Sequence, residues 1–178
     1  MKPVRARYGK IDRLVRELLH RYQVRRPPVP VDVIARKEGA EIVVNKFNKE
    51  ISGLLLRANN KSIIGVEKTQ SVTRQRFTIS HELAHLLLHD GEEVRVDTNF
   101  RINLRSPESS TAEDIEEIEA NAFAAALLMP EEFLREDLAN FVLDVDDPHQ
   151  VQQLARRYDV SAQAMTIRLT NLLSLGRI

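Results

Sequence analysis

Two histidines four residues apart, with a glutamate beside the first, are the residues in this sequence best suited to chemistry. His81, Glu82 and His85 form the pattern H-E-x-x-H inside a segment whose periodicity predicts a helix over residues 70–89. Four residues along a helix rise about 6 Å and turn slightly past one revolution, so both imidazoles project from the same side. Such a pair can bind one zinc ion, and Glu82 can act as general base toward water. The alternative interpretation is two core histidines satisfied by hydrogen bonds.

A catalytic zinc usually has three protein ligands, so one more must come from elsewhere in the chain. His89 follows His85 by four residues, but in a continuous helix it lies about 12 Å from His81 along the axis, too far to share one ion. The next predicted helix offers four glutamates: Glu113, Glu116, Glu117 and Glu119. Glu119 is the first choice because it directly precedes a run of small side chains that lets two helices pack closely. Glu116, one turn earlier, is the alternative.

Two sequence stretches together resemble a known family. The stretch H-E-L-A-H-L-L-L-H at 81–89, followed by E-A-N-A-F-A-A-A-L-L-M-P at 119–130, is similar to the ImmA/IrrE family of metallopeptidases. The resemblance covers roughly residues 28–135, and the two motifs together are specific.

The resemblance implies a gluzincin-like fold and a mechanism. It implies zinc (Zn2+) on the positions of three residues, His81, His85 and Glu119, and catalysis by the position of Glu82. The implied substrates are cytoplasmic helix-turn-helix repressors that are cut once. Such enzymes often add a residue that stabilises the oxyanion, for which His149 and Arg105 are the candidates here.

The elements that must position these residues predict an α+β fold, a small antiparallel sheet beside the H-E-x-x-H helix and several packed helices. The family resemblance implies that this arrangement is minimal and zincin-like. Apolar runs at 51–57 and 61–67, separated by Asn59-Asn60, predict a β-hairpin, and another strand is expected near 94–96. Apolar periodicity and capping residues predict helices over 10–22, 30–38, 70–89, 111–128, 131–138, 148–158 and 161–173.

We expect the chain to divide into three segments, of which the family resemblance implies the middle one. A basic helix or arm is expected at 1–27, the zincin-like metallopeptidase domain at 28–140, and a helical pair packed on it at 141–178. Residues 1–26 carry nine Lys or Arg against two acidic residues, whereas residues 108–147 carry thirteen Asp or Glu against one base. This asymmetry can steer a basic partner toward the acidic side, although two solvated helix faces of opposite sign are the favoured explanation.

The last two predicted helices resemble a helix-turn-helix, with Ser161 capping the second. The segment 149–178 has four Arg against one Asp, which is a weak basis for DNA binding because phosphate contacts dominate affinity. Docking of a protein substrate is equally open. The main hypothesis is therefore a zinc-dependent endopeptidase that cleaves a helix-turn-helix repressor. The alternatives are a DNA-binding regulator with a vestigial or sensory zinc site and a module that binds a repressor or toxin without cutting it.

The composition predicts a cytoplasmic protein. Cysteine is absent, which excludes disulfides and thiolate metal sites and is consistent with a reducing compartment. The N-terminus is charged throughout and lacks the apolar core of a signal peptide. The longest apolar stretches are too short to span a bilayer, so no membrane partner is expected.

Overall fold

The computed structural model describes residues 5–47, 51–58, 61–90, 94–98, 112–139 and 147–178. Within these ranges the chain forms seven helices and four strands. The helices are α1 (Tyr8–Arg21), α2 (Val31–Lys37), α3 (Val72–Leu88), α4 (Ala112–Leu128), α5 (Glu131–Leu138), α6 (Pro148–Tyr158) and α7 (Ala162–Ser174). The strands are β1 (Ala40–Asn45), β2 (Ile51–Ala58), β3 (Lys61–Glu67) and β4 (Val94–Thr98). The seven predicted helices are confirmed, with ends shifted by no more than two residues.

Side-chain caps explain where several helices begin. The hydroxyl of Ser71 accepts a hydrogen bond from the backbone N–H of Arg74 at the start of α3, and Ser161 does the same for Ala164 at the start of α7. Such bonds satisfy backbone donors that have no partner inside the helix. The predicted cap at Ser161 is therefore confirmed, whereas Thr111, expected to open α4, lies outside the described residues.

The four strands form one sheet in the order β1-β3-β2-β4. The predicted hairpin is confirmed: β2 and β3 are antiparallel, and Ala58 pairs with Lys61. The expectation of a wholly antiparallel sheet is wrong, because β1 and β3 are parallel. The chain reverses direction between β1 and β2, and β3 then lies between them. Since β3 runs opposite to β2, it must run in the direction of β1.

Apolar side chains of the helices and of one sheet face form a single core. The N-terminal helix α1 belongs to it, since its apolar stripe is buried and the helix packs on α4. Helices α3 and α4 also pack against each other, as the small side chains of α4 predict. The buried stripe of α1 consists of Ile11, Val15, Leu18 and Leu19.

Hydrogen bonds fix the C-terminal helix pair to the rest of the molecule. Arg76 of α3 donates to the carbonyl of Asp159, in the turn between α6 and α7, at 3.1 Å. The buried Tyr158 donates its hydroxyl to Asp137 at 2.9 Å, and Arg168 donates to the carbonyl of Met129 at 3.2 Å. The predicted boundaries at 27/28 and 140/141 stay predictions. Among the described residues, no helix is both long and apolar enough to cross a membrane.

Candidate metal centre

The H-E-x-x-H segment lies in the second half of α3, and every residue from Thr78 to His85 is buried. His81, Glu82 and His85 are each at most 1% exposed. The helix runs between the sheet and α4 and contacts both. The sheet and α4 therefore screen this histidine pair from bulk water on two sides. Electrostatic interactions are stronger away from water, so a few polar groups can bind a ligand tightly here.

The two imidazoles converge as their spacing predicts. Nε2 of His81 lies 3.0 Å from Nε2 of His85. Each ring uses its other nitrogen in a separate contact. His81 Nδ1 lies 3.1 Å from Oδ1 of Asn121 in α4, and His85 Nδ1 lies 3.0 Å from Nδ1 of His89. The two Nε2 atoms therefore face a common point while the Nδ1 atoms are held from behind.

A carboxylate of α4 completes this group. Glu117 places Oε2 at 3.3 Å from His81 Nε2 and Oε1 at 3.3 Å from His85 Nε2. The ligand atoms of the three residues all lie within 4.8 Å of one another. Burial raises the pKa of Glu117, but hydrogen bonds with the two histidines outweigh burial, so the net pKa is far below its ordinary value. Glu117 is thus an anion facing two imidazole nitrogens.

The residues present fit a divalent metal ion. Separations of 3.0–3.3 Å between donor atoms are the edges expected around an ion bound at roughly 2.0–2.2 Å. Two imidazoles and one carboxylate form a His₂Glu set, which is one of the donor sets of catalytic zinc sites and leaves a position open for water or substrate. Outer contacts on both Nδ1 atoms are also typical of metal-binding histidines.

Glu82 lies next to this group and rests against the sheet. Its carboxylate is fully buried, and a Cβ on Gly53 of β2 would lie only 2.7 Å from its Oε1. Glycine at position 53 therefore provides the room in which this carboxylate sits. Because Glu82 follows His81 directly, its position is rotated by about 100° from that of His81 on the helix surface, next to the face that carries the two ligand rings.

Replacing Gly53 by alanine is expected to disturb this contact. The added Cβ would lie 2.5 Å from Cγ2 of Thr78 and 2.7 Å from Oε1 of Glu82, both well inside van der Waals contact. Overpacking of this kind costs about 1–3 kcal/mol of unfolding free energy. Urea denaturation measures the loss. Gly9→Ala is the control, because nothing lies within 4 Å of its Cβ position. Equal stability of wild type and Gly53→Ala would contradict the close approach of Glu82 to β2.

The structure does not bring Glu119, the first choice from sequence, to the histidine Nε2 atoms. Its carboxylate is buried between Arg7 and His89. Residues two apart on a helix point to nearly opposite sides, so Glu117 and Glu119 cannot both face the same two nitrogens. The alternative, Glu116, is also buried but is absent from the group that could hold an ion.

His89 contacts the histidine pair from behind, which agrees with the expectation that it is not a ligand. Helix α3 ends at Leu88, and His89 has an extended backbone. Its side chain can therefore turn back toward Nδ1 of His85. Of the two oxyanion candidates, His149 is exposed in the first turn of α6, and Arg105 lies outside the described residues.

Sequence reasoning listed Glu117 among four glutamates without choosing it, and it gave no role to Asn121 or Arg7. One signal for the first two is present in the sequence. Glu117 and Asn121 are separated by four residues and therefore share one face of α4, so an Asn that supports a histidine implicates the glutamate one turn before it. No comparable pattern identifies Arg7, because the residue that it contacts, Glu119, is 112 positions away.

Comparison with known proteins identifies relatives of this chain. A family model described as the IrrE N-terminal-like domain matches residues 35–170. The radiation response metalloprotease IrrE of Deinococcus deserti is 37% identical over 89 residues, which are 50% of this chain and 29% of that protein. The protein of the same name from Deinococcus radiodurans is 30% identical over 109 residues, 61% of this chain and 31% of that protein. The match thus spans less than a third of the length of either relative.

A solved structure shares the fold. A Mycobacterium tuberculosis transcriptional regulator superposes with a TM-score of 0.59 at 14% identity, over 88% of this chain and 45% of that one. The likeness concerns the fold alone. The family model, by contrast, covers 136 of 178 residues and includes both helices that supply the histidines and Glu117. The chain therefore belongs to the ImmA/IrrE family, through an IrrE N-terminal-like domain.

Proposed function

We propose that this chain is a zinc-dependent endopeptidase that cuts a cytoplasmic helix-turn-helix repressor at one site. The observation that carries the proposal is the convergence of His81, His85 and Glu117 beside Glu82. Two imidazoles and a carboxylate are suitable ligands, and the buried glutamate next to them is a suitable general base. The two relatives are named as metalloproteases, which supports the reaction class.

The proposed mechanism assigns each residue one task. His81, His85 and Glu117 would hold the ion, which supplies Lewis-acid polarisation of a carbonyl oxygen and acidifies water. Glu82 takes a proton from the attacking water onto a carboxylate oxygen. It then gives this proton to the amine nitrogen that leaves when the peptide bond breaks. Asn121 and His89 hold the two histidine rings through their Nδ1 atoms.

Family resemblance and charge support the proposed substrate class. The resemblance to ImmA/IrrE metallopeptidases implies a repressor as substrate. A DNA-binding repressor carries a basic surface, and residues 108–147 of this chain carry thirteen acidic residues against one base. Opposite charges on the two proteins favour encounter and orientation more than they favour final affinity.

Direct DNA binding by α6 and α7 is the second candidate function, and the contacts of the described residues weigh against it. Three of the four arginines between 149 and 178 already bond within the chain. Arg157 pairs with Asp137, Arg168 with a backbone carbonyl, and Arg177 with Asp12. A non-catalytic module that binds a repressor or toxin remains the other alternative.

Cleavage of a repressor in a metal-dependent manner tests the proposal. The full chain, loaded with zinc, is incubated with the helix-turn-helix repressor encoded beside its gene, and products are weighed by intact-mass spectrometry. We expect two fragments whose masses sum to the substrate plus one water. Prior removal of the metal with a chelator abolishes them, and added zinc restores them. An intact repressor that co-elutes with the chain on a sizing column would support the binding module instead.

A further inference from the structure

A salt bridge joins the N-terminal end of the described chain to the back of the metal centre. Arg7, the residue before α1, donates its Nε and its backbone N–H to Oε1 of Glu119 at 2.9 and 2.6 Å. One terminal nitrogen of its guanidinium donates to Oε2 at 2.6 Å. Three bonds from one residue hold both oxygens of a fully buried carboxylate. Bidentate pairs of this kind fix geometry as well as charge.

The contact continues through His89 to a metal-binding histidine. Oε2 of Glu119 lies 2.9 Å from Nε2 of His89, and Nδ1 of His89 lies 3.0 Å from Nδ1 of His85. An ionised carboxylate only accepts hydrogen bonds, so Nε2 of His89 must donate. A neutral imidazole then offers a lone pair at Nδ1, which accepts the Nδ1–H of His85. This leaves the lone pair of His85 at Nε2, directed at the ion position.

Arginines also hold the backbone at the end of α3. Arg7 donates to the carbonyl of Leu88 at 3.3 Å, and Arg57 of β2 donates to the carbonyls of His85 and His89 at 2.6 and 3.2 Å. The carbonyls of His85 and Leu88 belong to the last turn of α3, and that of His89 directly follows it. At this end backbone acceptors lack partners inside the helix and the dipole favours cations. The segment from His85 to His89 is therefore fixed both by backbone and by side-chain contacts.

We propose that Arg7 is a positioning residue of the metal centre, acting through Glu119 and His89 to hold His85 in its metal-binding tautomer. The inference rests on the proposed metal site. It concerns a residue outside the matched family domain, which begins at residue 35, so the N-terminal segment would be a functional part of the site. Partners that orient a metal-binding histidine in this way typically contribute 10–100-fold to metal affinity.

The first test measures zinc affinity of the full chain by competition with a chromophoric chelator. Arg7→Ala is expected to weaken zinc binding by about 10–100-fold. Arg21→Ala is the matched control, since Arg21 ends the same helix and pairs with Glu38 at the surface. The visible spectrum of the cobalt-substituted protein should change in Arg7→Ala and stay unchanged in the control, because the orientation of a ligand has changed.

Glu119→Gln tests the donor order without removing bulk. Arg7 donates twice to Oε1, so the amide oxygen of glutamine takes that place and its NH₂ group faces His89. This NH₂ group would donate to Nε2 of His89, so that Nδ1–H of His89 donates to Nδ1 of His85. The order of donors is then reversed, and His85 carries its proton at Nε2. We expect a loss of zinc affinity of about 10–100-fold although the substitution is isosteric.

Combination with His89→Ala separates positioning from general stabilisation. If the chain of contacts acts as proposed, Arg7→Ala and Glu119→Gln should each lose most of their effect on zinc affinity in the His89→Ala background. Zinc affinity unchanged in both single variants, with only the melting temperature lowered, would overturn the inference. His85→Ala is the reference for the site itself: if it binds zinc like the wild type, the metal centre is wrongly assigned and the proposed function fails with it.

Discussion

Replacement of Glu82 by glutamine is expected to give a folded, zinc-binding protein that no longer cuts its substrate. Glutamine has the shape of glutamate but cannot take a proton from water at neutral pH. Loss of a general base typically lowers the rate by about 10²–10⁴-fold. Glu82 is outside the group that could hold the ion, so zinc stoichiometry should be unchanged. Single-turnover cleavage of the repressor, followed by mass spectrometry, measures the rate.

A second glutamate provides the matched control for this experiment. Glu17 is exposed in α1, and Glu17→Gln makes the same chemical change far from the chemistry. It should cleave like the wild type. The proposed mechanism would be wrong if Glu82→Gln bound zinc and cleaved at the wild-type rate. If the wild type and both variants all failed to cleave, the result would instead support the non-catalytic binding module.

The local elements of this fold could be predicted from sequence because their signals are local. An apolar stripe with a Ser cap defines a helix within one or two residues, as α3 and α7 show. Two apolar runs separated by two asparagines predicted the β2–β3 hairpin, and in the structure Ala58 pairs with Lys61. Each of these features depends on residues fewer than about twenty positions apart.

Features that depend on packing between distant segments could not be predicted in this way. The parallel pairing of β1 with β3 requires knowledge of which strand enters the sheet between β1 and β2. The histidine pair was correctly expected to converge, because a single helix fixes its geometry. The third partner depends on the rotation of α4 about its own axis, which is set by its contacts with α1 and α3. A rotation by about 100° per residue decides between Glu116, Glu117 and Glu119.

The choice of Glu117 over Glu119 as the third metal ligand has a direct experimental consequence. Glu117→Gln is expected to lose zinc affinity by more than the roughly 10–100-fold typical of an outer partner, because it removes the charged ligand itself. Glu117 is partly exposed and its side chain is 36% accessible, so the isosteric change should leave the fold intact. Chelator competition measures the affinity, and thermal unfolding with and without zinc gives an independent value.

The same substitution two residues further along the helix is the matched comparison. Zinc at about 1,000 times its Kd stabilises the wild type by about 4 kcal/mol. Glu117→Gln should lose nearly all of this increment, and Glu119→Gln only part of it. The reverse order, with zinc binding lost in Glu119→Gln and retained in Glu117→Gln, would make Glu119 the third ligand after all. In that case the contacts of Arg7 with Glu119 would have to break when metal binds, since the carboxylate cannot both face the ion and keep three bonds to Arg7.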